Sequence, residues 1–577
     1  MEHHAEVLHG AAWRPYLPGR RDLLVILLIV VTLFLLAMGA RHMTGSLVAA
    51  HAEQISLSPS ALPAYTLRTV LRMLAALAAS LVFTLTYATL AAKSRRAEMV
   101  LIPLLDVLQS VPILGYLSFT VVFFMSLFPG QVLGAELAAI FAIFTSQAWN
   151  MAFSFYQSLR TVPRDLDEAA FSFRLSGWQR FWRLEVPFAM PGLVWNTMMS
   201  MSGGWFFVVA SEAISVGELQ IALPGVGSYV AQAISARDLG AVGWALLAMT
   251  AAILIYDQLL FRPLVAWADK FRAEQTAGQQ QPRSWLLDVL RRADWLQSTS
   301  APIGRLFQRA GRARLRQPGF LHLPKLDLPQ QWGDRLWLGC CAVALAWGVS
   351  HLLLFVRPVL SWPDLAYVLR NGALTFVRVM VLIVLASLVW VPIGVMVGLR
   401  PVWAERVQPI AQFLAAFPAN LLFPVAVYLI VHLQLDPKIW LCPLMILGTQ
   451  WYILFNVIAG ATAFPTDLRE AATSFRLRSR AWWGKVMLPG IFPYFITGAI
   501  TASGGAWNAS IVSEVVSWGS TRLDASGLGA YIARMTAAGD YPHIALGVAT
   551  MSILVIATNR LLWRPMYAYA ERRTRLD

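Results

Sequence analysis

The sequence has 577 residues, 58% of them hydrophobic and only 13% charged, with a mean hydropathy of +0.58. A soluble chain carries about 25% charged residues, so this composition excludes an ordinary water-soluble enzyme and points to a polytopic membrane protein. The formal net charge of +15 is scattered between apolar runs, the pattern of membrane-protein loops and not of a nucleic-acid binder.

A hydrocarbon core of about 30 Å needs roughly 20 apolar residues per helix. By that measure the chain is expected to cross six times in its first half, at about 23–40, 66–92, 99–128, 134–156, 187–211 and 241–263. A second set of six lies at about 335–356, 373–399, 407–433, 438–460, 489–513 and 542–563. The first run follows a polar start (MEHHAEVLHG) and lacks a small-x-small cleavage site, so it reads as a retained span. Pro112 and Pro418 sit inside the third spans, where each either breaks the helix or leaves a harmless kink. Cys340, Cys341 and Cys442 lie in or beside apolar runs and have neither disulfide nor metal-ligand spacing. No metal, cofactor or catalytic residue is expected.

The basic residues set an orientation. Arg14, Arg20 and Arg21 precede the first span, Lys93, Arg95 and Arg96 follow the second, and five arginines from Arg160 to Arg183 follow the fourth. Placing both termini in the cytoplasm puts all of these inside, together with Arg400, Arg406 and the cluster Arg469–Lys485 of the second half. With six spans each, the halves run in the same direction and are related by a pseudo-twofold axis along the membrane normal. Residues 264–334 join them as a cytoplasmic basic linker, whose segment RLFQRAGRARLR reads equally as a lipid-surface helix or a solvated one.

The halves are copies. Glu168-Ala169-Ala170 recurs 302 positions later as Glu470-Ala471-Ala472. Without a gap the same register pairs Pro163 with Pro465, Arg174 with Arg476, Pro187 with Pro489, Trp205 with Trp507, Glu212 with Glu514 and Gly227 with Gly529. Earlier in each half the offset is 306, pairing Thr69 with Thr375, Arg72 with Arg378 and Pro112 with Pro418. Such a register means duplication and fusion of one domain.

The loops after the fourth spans, PRDLDEAAFSFRLSGWQRFWRLEVP (163–187) and PTDLREAATSFRLRSRAWWGKVMLP (465–489), carry the clearest signal. Asp165 and Asp467 stand two residues after a proline, where an acid suits a helix start. Leu166, Ala169, Ala170 and Phe173 have roughly helical spacing, so each loop is expected to form a pair of short amphipathic helices. Such a pair projects a knob able to fill a groove on a partner.

This arrangement resembles the EAA loop of binding-protein-dependent ABC importer permeases, in which Glu-Ala-Ala is followed by a Gly and later by an Ile-x-Leu-Pro. The resemblance covers about 66–263 and 372–565 and implies an all-α membrane protein of two homologous six-helix domains, the type I importer fold with about 12 transmembrane helices. It implies domain limits of 1–263 and 335–577, a place in a bacterial inner membrane, two separate ATPase subunits at the cytoplasmic face, an external solute-binding protein, and no nucleic acid. It also implies ATPase-coupling roles for Asp165, Glu168, Ala169, Ala170, Arg174, Gly177 and Pro187, and for Asp467, Glu470, Ala471, Ala472, Arg476 and Pro489. The motif glycine is replaced by Arg174 and Arg476, which puts the turn between the short helices in question.

Glu212 followed by Gly225-Val226-Gly227, and Glu514 followed by Gly527-Leu528-Gly529, look like the nitrate/sulfonate/taurine-type branch. An acid beside an apolar span is a functional-site candidate, although each glutamate also reads as a structural cap. Asn196, Trp205, Glu212, Trp507, Asn508 and Glu514 are the candidates to line a solute pathway. Leu175-Ser176-Gly177-Trp178-Gln179 differs by one residue from the LSGGQ signature of ABC ATPases, yet the chain has no P-loop to go with it. An ATP-driven importer subunit is the leading expectation. An ion-gradient transporter of six-plus-six repeats and a non-transporting membrane scaffold are the alternatives.

Overall fold

The computed structural model describes residues 55–216, 219–271, 284–293, 330–477 and 479–574, with isolated helical positions between 23 and 38 and between 302 and 311. The expected first span and the basic segment 305–316 therefore lie mostly outside the described residues. Among the described residues, seven helices are long and apolar enough to cross a membrane, or nine if two sharply bent pairs each count as one span.

Both bent pairs are the expected third spans. Arg95–Leu108 and Ile113–Leu127 meet at 103°, and Val402–Ala416 meets Ala419–His432 at 77°. The turning points are Pro112 and Pro418, which lack an N–H and push the preceding residue out of the helical region. Of the two readings at Pro112 and Pro418, the structure has the broken helix, within the third spans expected over 99–128 and 407–433. Each broken segment reaches the fifth span of the other half. The Ile113 N–H donates to Asn508 Oδ1 (2.7 Å), while Asn420 Nδ2 donates to the Phe206 carbonyl (3.0 Å). Phe206 and Asn508 are repeat equivalents, so the junction is kept while side chain and backbone exchange roles.

The fourth spans differ. Val132–Arg160 is one helix of 29 residues. The expected 438–460 is instead a short turn of helix at Pro437–Trp440, a 3₁₀ turn at Cys442–Met445, and a helix only from Trp451 to Thr462. Pro443 inside this stretch cannot supply a helical N–H. The first-half fifth span, Val186–Glu212, is 27 residues long but polar enough, with Asn196, Ser200 and Ser202, to fall outside the apolar set.

Proline also explains the four π turns, at Phe181–Glu185, Asp257–Phe261, Trp483–Met487 and Asn559–Trp563. Each ends two residues before a proline (Pro187, Pro263, Pro489 and Pro565), whose ring would clash with the carbonyl four residues back. The wider turn removes that clash without ending the helix. As a result the second short helix of each expected pair is not separate: Gly177–Arg180 runs through its π turn into the fifth span.

One departure from an all-α fold follows each fifth span. Ala213–Val216 pairs antiparallel with Leu219–Ala222, and Val515–Trp518 pairs with Thr521–Asp524. Each hairpin leads to a short helix, Val226–Ala236 or Leu528–Ala538, and then to the sixth span.

Asn508→Ala strands the Ile113 N–H at the break. A drop in stability of about 1–3 kcal/mol is expected in thermal melting of the purified protein. An unchanged midpoint would show that the junction bond carries no weight.

Candidate functional site

The two loops share one backbone. Arg164–Ser172 begins with Asp165 and Asp167 in its first turn, and Thr466–Ser474 begins with Asp467. Each helix ends on a left-handed residue, Arg174 (φ +50°) or Arg476 (φ +54°). The next residue closes the cap: the Leu175 N–H donates to the Ala170 carbonyl (3.1 Å), and the Leu477 N–H donates to the Ala472 carbonyl (2.9 Å). Glycine is the residue that adopts this conformation without strain, so the turn survives with arginine in the position that the resembled motif gives to glycine.

Within Glu-Ala-Ala, Glu168 and Glu470 are exposed, whereas the last alanines, Ala170 and Ala472, are buried. Asp165, Ala169 and Asp467 are exposed and Ala471 is half-buried. Phe171, Phe173 and Phe475 stand bare, at 86%, 78% and 79% exposure. Ser176 and Gln179 form a reciprocal capping box at the start of Gly177–Arg180, so the LSGWQ string is a helix start. A side chain on Gly177 would meet nothing within 4 Å. Pro187 and Pro489 open the fifth spans.

At the opposite end of the fifth span, Glu212 is fully buried. Its Oε1 accepts from Thr69 Oγ1 (2.7 Å) and Arg72 Nη1 (2.7 Å), and its Oε2 accepts from the Gly227 N–H (2.6 Å). Arg72 also grips both oxygens of Glu136, at 2.6 and 2.7 Å, and donates to the Pro224 carbonyl at 3.1 Å. The second half repeats the plan with one acid fewer. Glu514 accepts from Thr375 (2.8 Å), Arg378 (3.3 Å) and the Ala530 N–H (3.0 Å). The remaining donors of Arg378 go to the carbonyls of Ala525 and Ser526.

The glycine pairs are explained by these carboxylates. A Cβ on Gly225 would lie 2.3 Å from the Glu212 carboxyl carbon, and one on Gly527 would lie 2.3 Å from Glu514 Oε2. A Cβ on Gly227 or Gly529 would fall 2.2 Å or 2.4 Å from the backbone of the fifth span.

Between the halves lies a cavity of about 320 Å³. Its wall includes Trp149, Asn150, Ser202, Phe206 and Phe207 from the first half, and Thr449, Tyr452, Gly504, Trp507 and Asn508 from the second. Among the described residues that line it there is no Asp, Glu, Lys, Arg or His. Of the six expected pathway residues, the structure brings Trp507 and Asn508 to this wall. Asn196 instead bonds Ser154 Oγ (2.8 Å), and Trp205 is buried against Tyr256 beside a second cavity of about 360 Å³. Glu212 and Glu514 do not line the central cavity either. Each is buried, with three protein donors on its carboxylate, which is the geometry of the structural alternative.

A family model for the binding-protein-dependent transport system inner membrane component matches residues 84–262 and again 390–576. The chain belongs to this family. It carries two such domains in one polypeptide, and is a multi-pass membrane protein. A stretch of 132 residues is 31% identical to the bicarbonate transport system permease protein CmpB of Synechocystis, covering 23% of this chain and 46% of that protein. Other relatives are the nitrate import permease protein NrtB of Leptolyngbya laminosa (23% over 185 residues, 32% of this chain and 63% of that protein) and the glycine betaine/carnitine transport permease protein GbuB of Listeria monocytogenes (31% over 173 residues, 29% and 54%). The chain spans about half the length of these relatives.

Arg72, Glu136 and Arg378 were not singled out as site residues from sequence. The available signal was an arginine inside an apolar span, repeated in both halves. Removing the charge with Arg72→Leu leaves two buried carboxylates unpaired and is expected to cost about 3–5 kcal/mol. Arg378→Leu should cost less, since Arg378 faces one acid and its side chain is 16% exposed. Melting of the two variants side by side checks this order.

Proposed function

We propose that the chain is the fused transmembrane subunit of an ATP-driven importer and supplies both halves of the solute pathway. The observation that carries the reading is the pair of loops of one geometry, each leading directly into a fifth span that lines or flanks the shared cavity. In this reading a separate ATPase docks at each loop, and Glu168, Glu470 and the bare phenylalanines enter its groove. Because the second short helix of each loop, Gly177–Arg180 or Ser479–Trp482, is continuous with its fifth span, a movement of the ATPases tilts the cavity walls and alternates access. An external binding protein delivers the solute. The termini lie in the cytoplasm, as does the 264–334 linker that joins domains 1–263 and 335–577, and the membrane is the bacterial inner membrane.

For the solute, the branch resemblance and the relatives named for bicarbonate and nitrate support a small anion, with sulfonates and taurine in the same class. A wall without a cationic side chain would hold such an anion through neutral N–H and O–H donors. Trp149, Trp507, Trp563 and Thr449 all belong to the wall, and each carries a buried polar atom with no protein partner. Neutral donors bind weakly, which suits a site that must release its solute. The ion-gradient alternative needs an ionisable group on the pathway to couple to. Among the described residues the wall has no Asp, Glu, Lys, Arg or His, and the buried acids Glu136, Glu212 and Glu514 are held by arginine.

Reversing charge with Glu168→Lys and Glu470→Lys together is expected to abolish ATP-dependent uptake in reconstituted vesicles. Unchanged uptake in that double variant would sink the docking role. Trp507→Phe keeps the ring and removes its N–H, and is expected to raise the uptake KM about three- to tenfold while ATPase binding stays intact.

A further inference from the structure

The two loops share a frame but not a surface. Residues 163–187 balance four basic against four acidic side chains, whereas 465–489 carry five basic against two acidic, a net charge of +3. The repeat register shows where the difference arises: Asp167, Arg180 and Glu185 become Arg469, Trp482 and Met487. In the first loop these three close on themselves. Arg180 pairs with Asp167 (2.9 Å) and Glu185 (3.1 Å), and Lys93 of the neighbouring span also pairs with Glu185 (2.9 Å). In the second loop Met487 is fully buried in the apolar core with Trp482 packed against it. Arg469, Arg480 and Lys485 of that loop are exposed. The tips differ as well, since the 86%-exposed Phe171 is replaced by Thr473.

We propose that the two loops hold their ATPase subunits by different forces. Loop 163–187 docks mainly by burying the pair Phe171 and Phe173 in an apolar groove, and loop 465–489, left with Phe475 alone, docks mainly by setting Arg469, Arg480 and Lys485 against carboxylates that rim the groove. This rests on the reading of the loops as ATPase docks and adds that the two docks are unequal. The partner's chemistry follows: an apolar slot edged with acidic side chains, whose acidic edge is engaged on one side of the complex. Apolar burial is insensitive to salt, whereas attraction between exposed charges is screened within about 10 Å at 0.1 M salt and within a few ångströms at higher salt.

The test uses the full chain in lipid nanodiscs with its co-expressed ATPase, measuring the Kd at about 0.1 M and about 0.5 M NaCl. Phe171→Thr with Phe173→Ala is expected to weaken binding about tenfold at both concentrations. Arg469→Ala with Arg480→Ala and Lys485→Ala is expected to weaken it about tenfold at the lower salt and only about twofold at the higher. Arg469→Lys with Arg480→Lys, which keeps the charge, should restore the wild-type response and so separates charge from misfolding. Equal losses for the two loops with the same salt dependence overturn the inequality and leave the docking reading standing. An ATPase whose binding ignores both variants overturns the docking reading and this proposal with it.

Discussion

A carboxylate buried at the end of each fifth span governs the geometry around it. Taking a charge out of water costs several kcal/mol even after relaxation, so Glu212 is tolerable only where donors converge on it. Arg72 and Thr69 come from the second span and the Gly227 N–H from the start of a short helix whose dipole favours negative charge, while Glu136 of the fourth span accepts from the far side of Arg72. One buried residue thereby ties together the second, fourth and fifth spans and the helix after the hairpin. The same demand dictates glycine at 225 and 227, because the helix start must press against the carboxylate and against the fifth-span backbone. In the second half Arg378 exchanges the second acid for two carbonyls, so the lock is looser and its arginine less enclosed.

With that end of each half locked, freedom to move is concentrated elsewhere. The third spans are broken by proline and cross to the other half, where Asn508 and Asn420 pin them to the fifth spans. The cavity is bounded by these crossing segments and by fifth spans that continue, through π turns, into the exposed loops. A rigid lock at one end and a lever at the other is an arrangement that can convert a push on the loops into a change in the cavity.

Much of this was legible in the sequence. The 302-residue register found both loops and both Glu–Gly-x-Gly sets, and the 306-residue register found both proline breaks. Glu212 and Glu514, read either as pathway residues or as caps, are buried among donors and away from the cavity wall. Even the doubtful arginines resolve simply: Arg174 and Arg476 occupy left-handed backbone, a conformation the arginine type gives no hint of. The first hairpin has a sequence signal in alternating AISV and LQIA around Gly217-Glu218. The interrupted fourth span of the second half was masked by its apolar composition, since hydropathy does not register that Pro443 withholds an N–H.

What the sequence by itself determined is what depends on local composition and on comparing one half with the other: membrane spanning, duplication, the loop frame and the sites of helix breakage. Only the tertiary structure decided which polar groups face each other. Arg72 meets Glu136 and Glu212 across 64 and 140 residues, and Asn508 meets Ile113 across 395. Periodicity reports which face of a helix is apolar, but partner choice for a buried charge or a freed N–H depends on how the helices pack. The chain order alone does not carry that information, and here it separated two acids that lock the fold from a charge-free cavity wall.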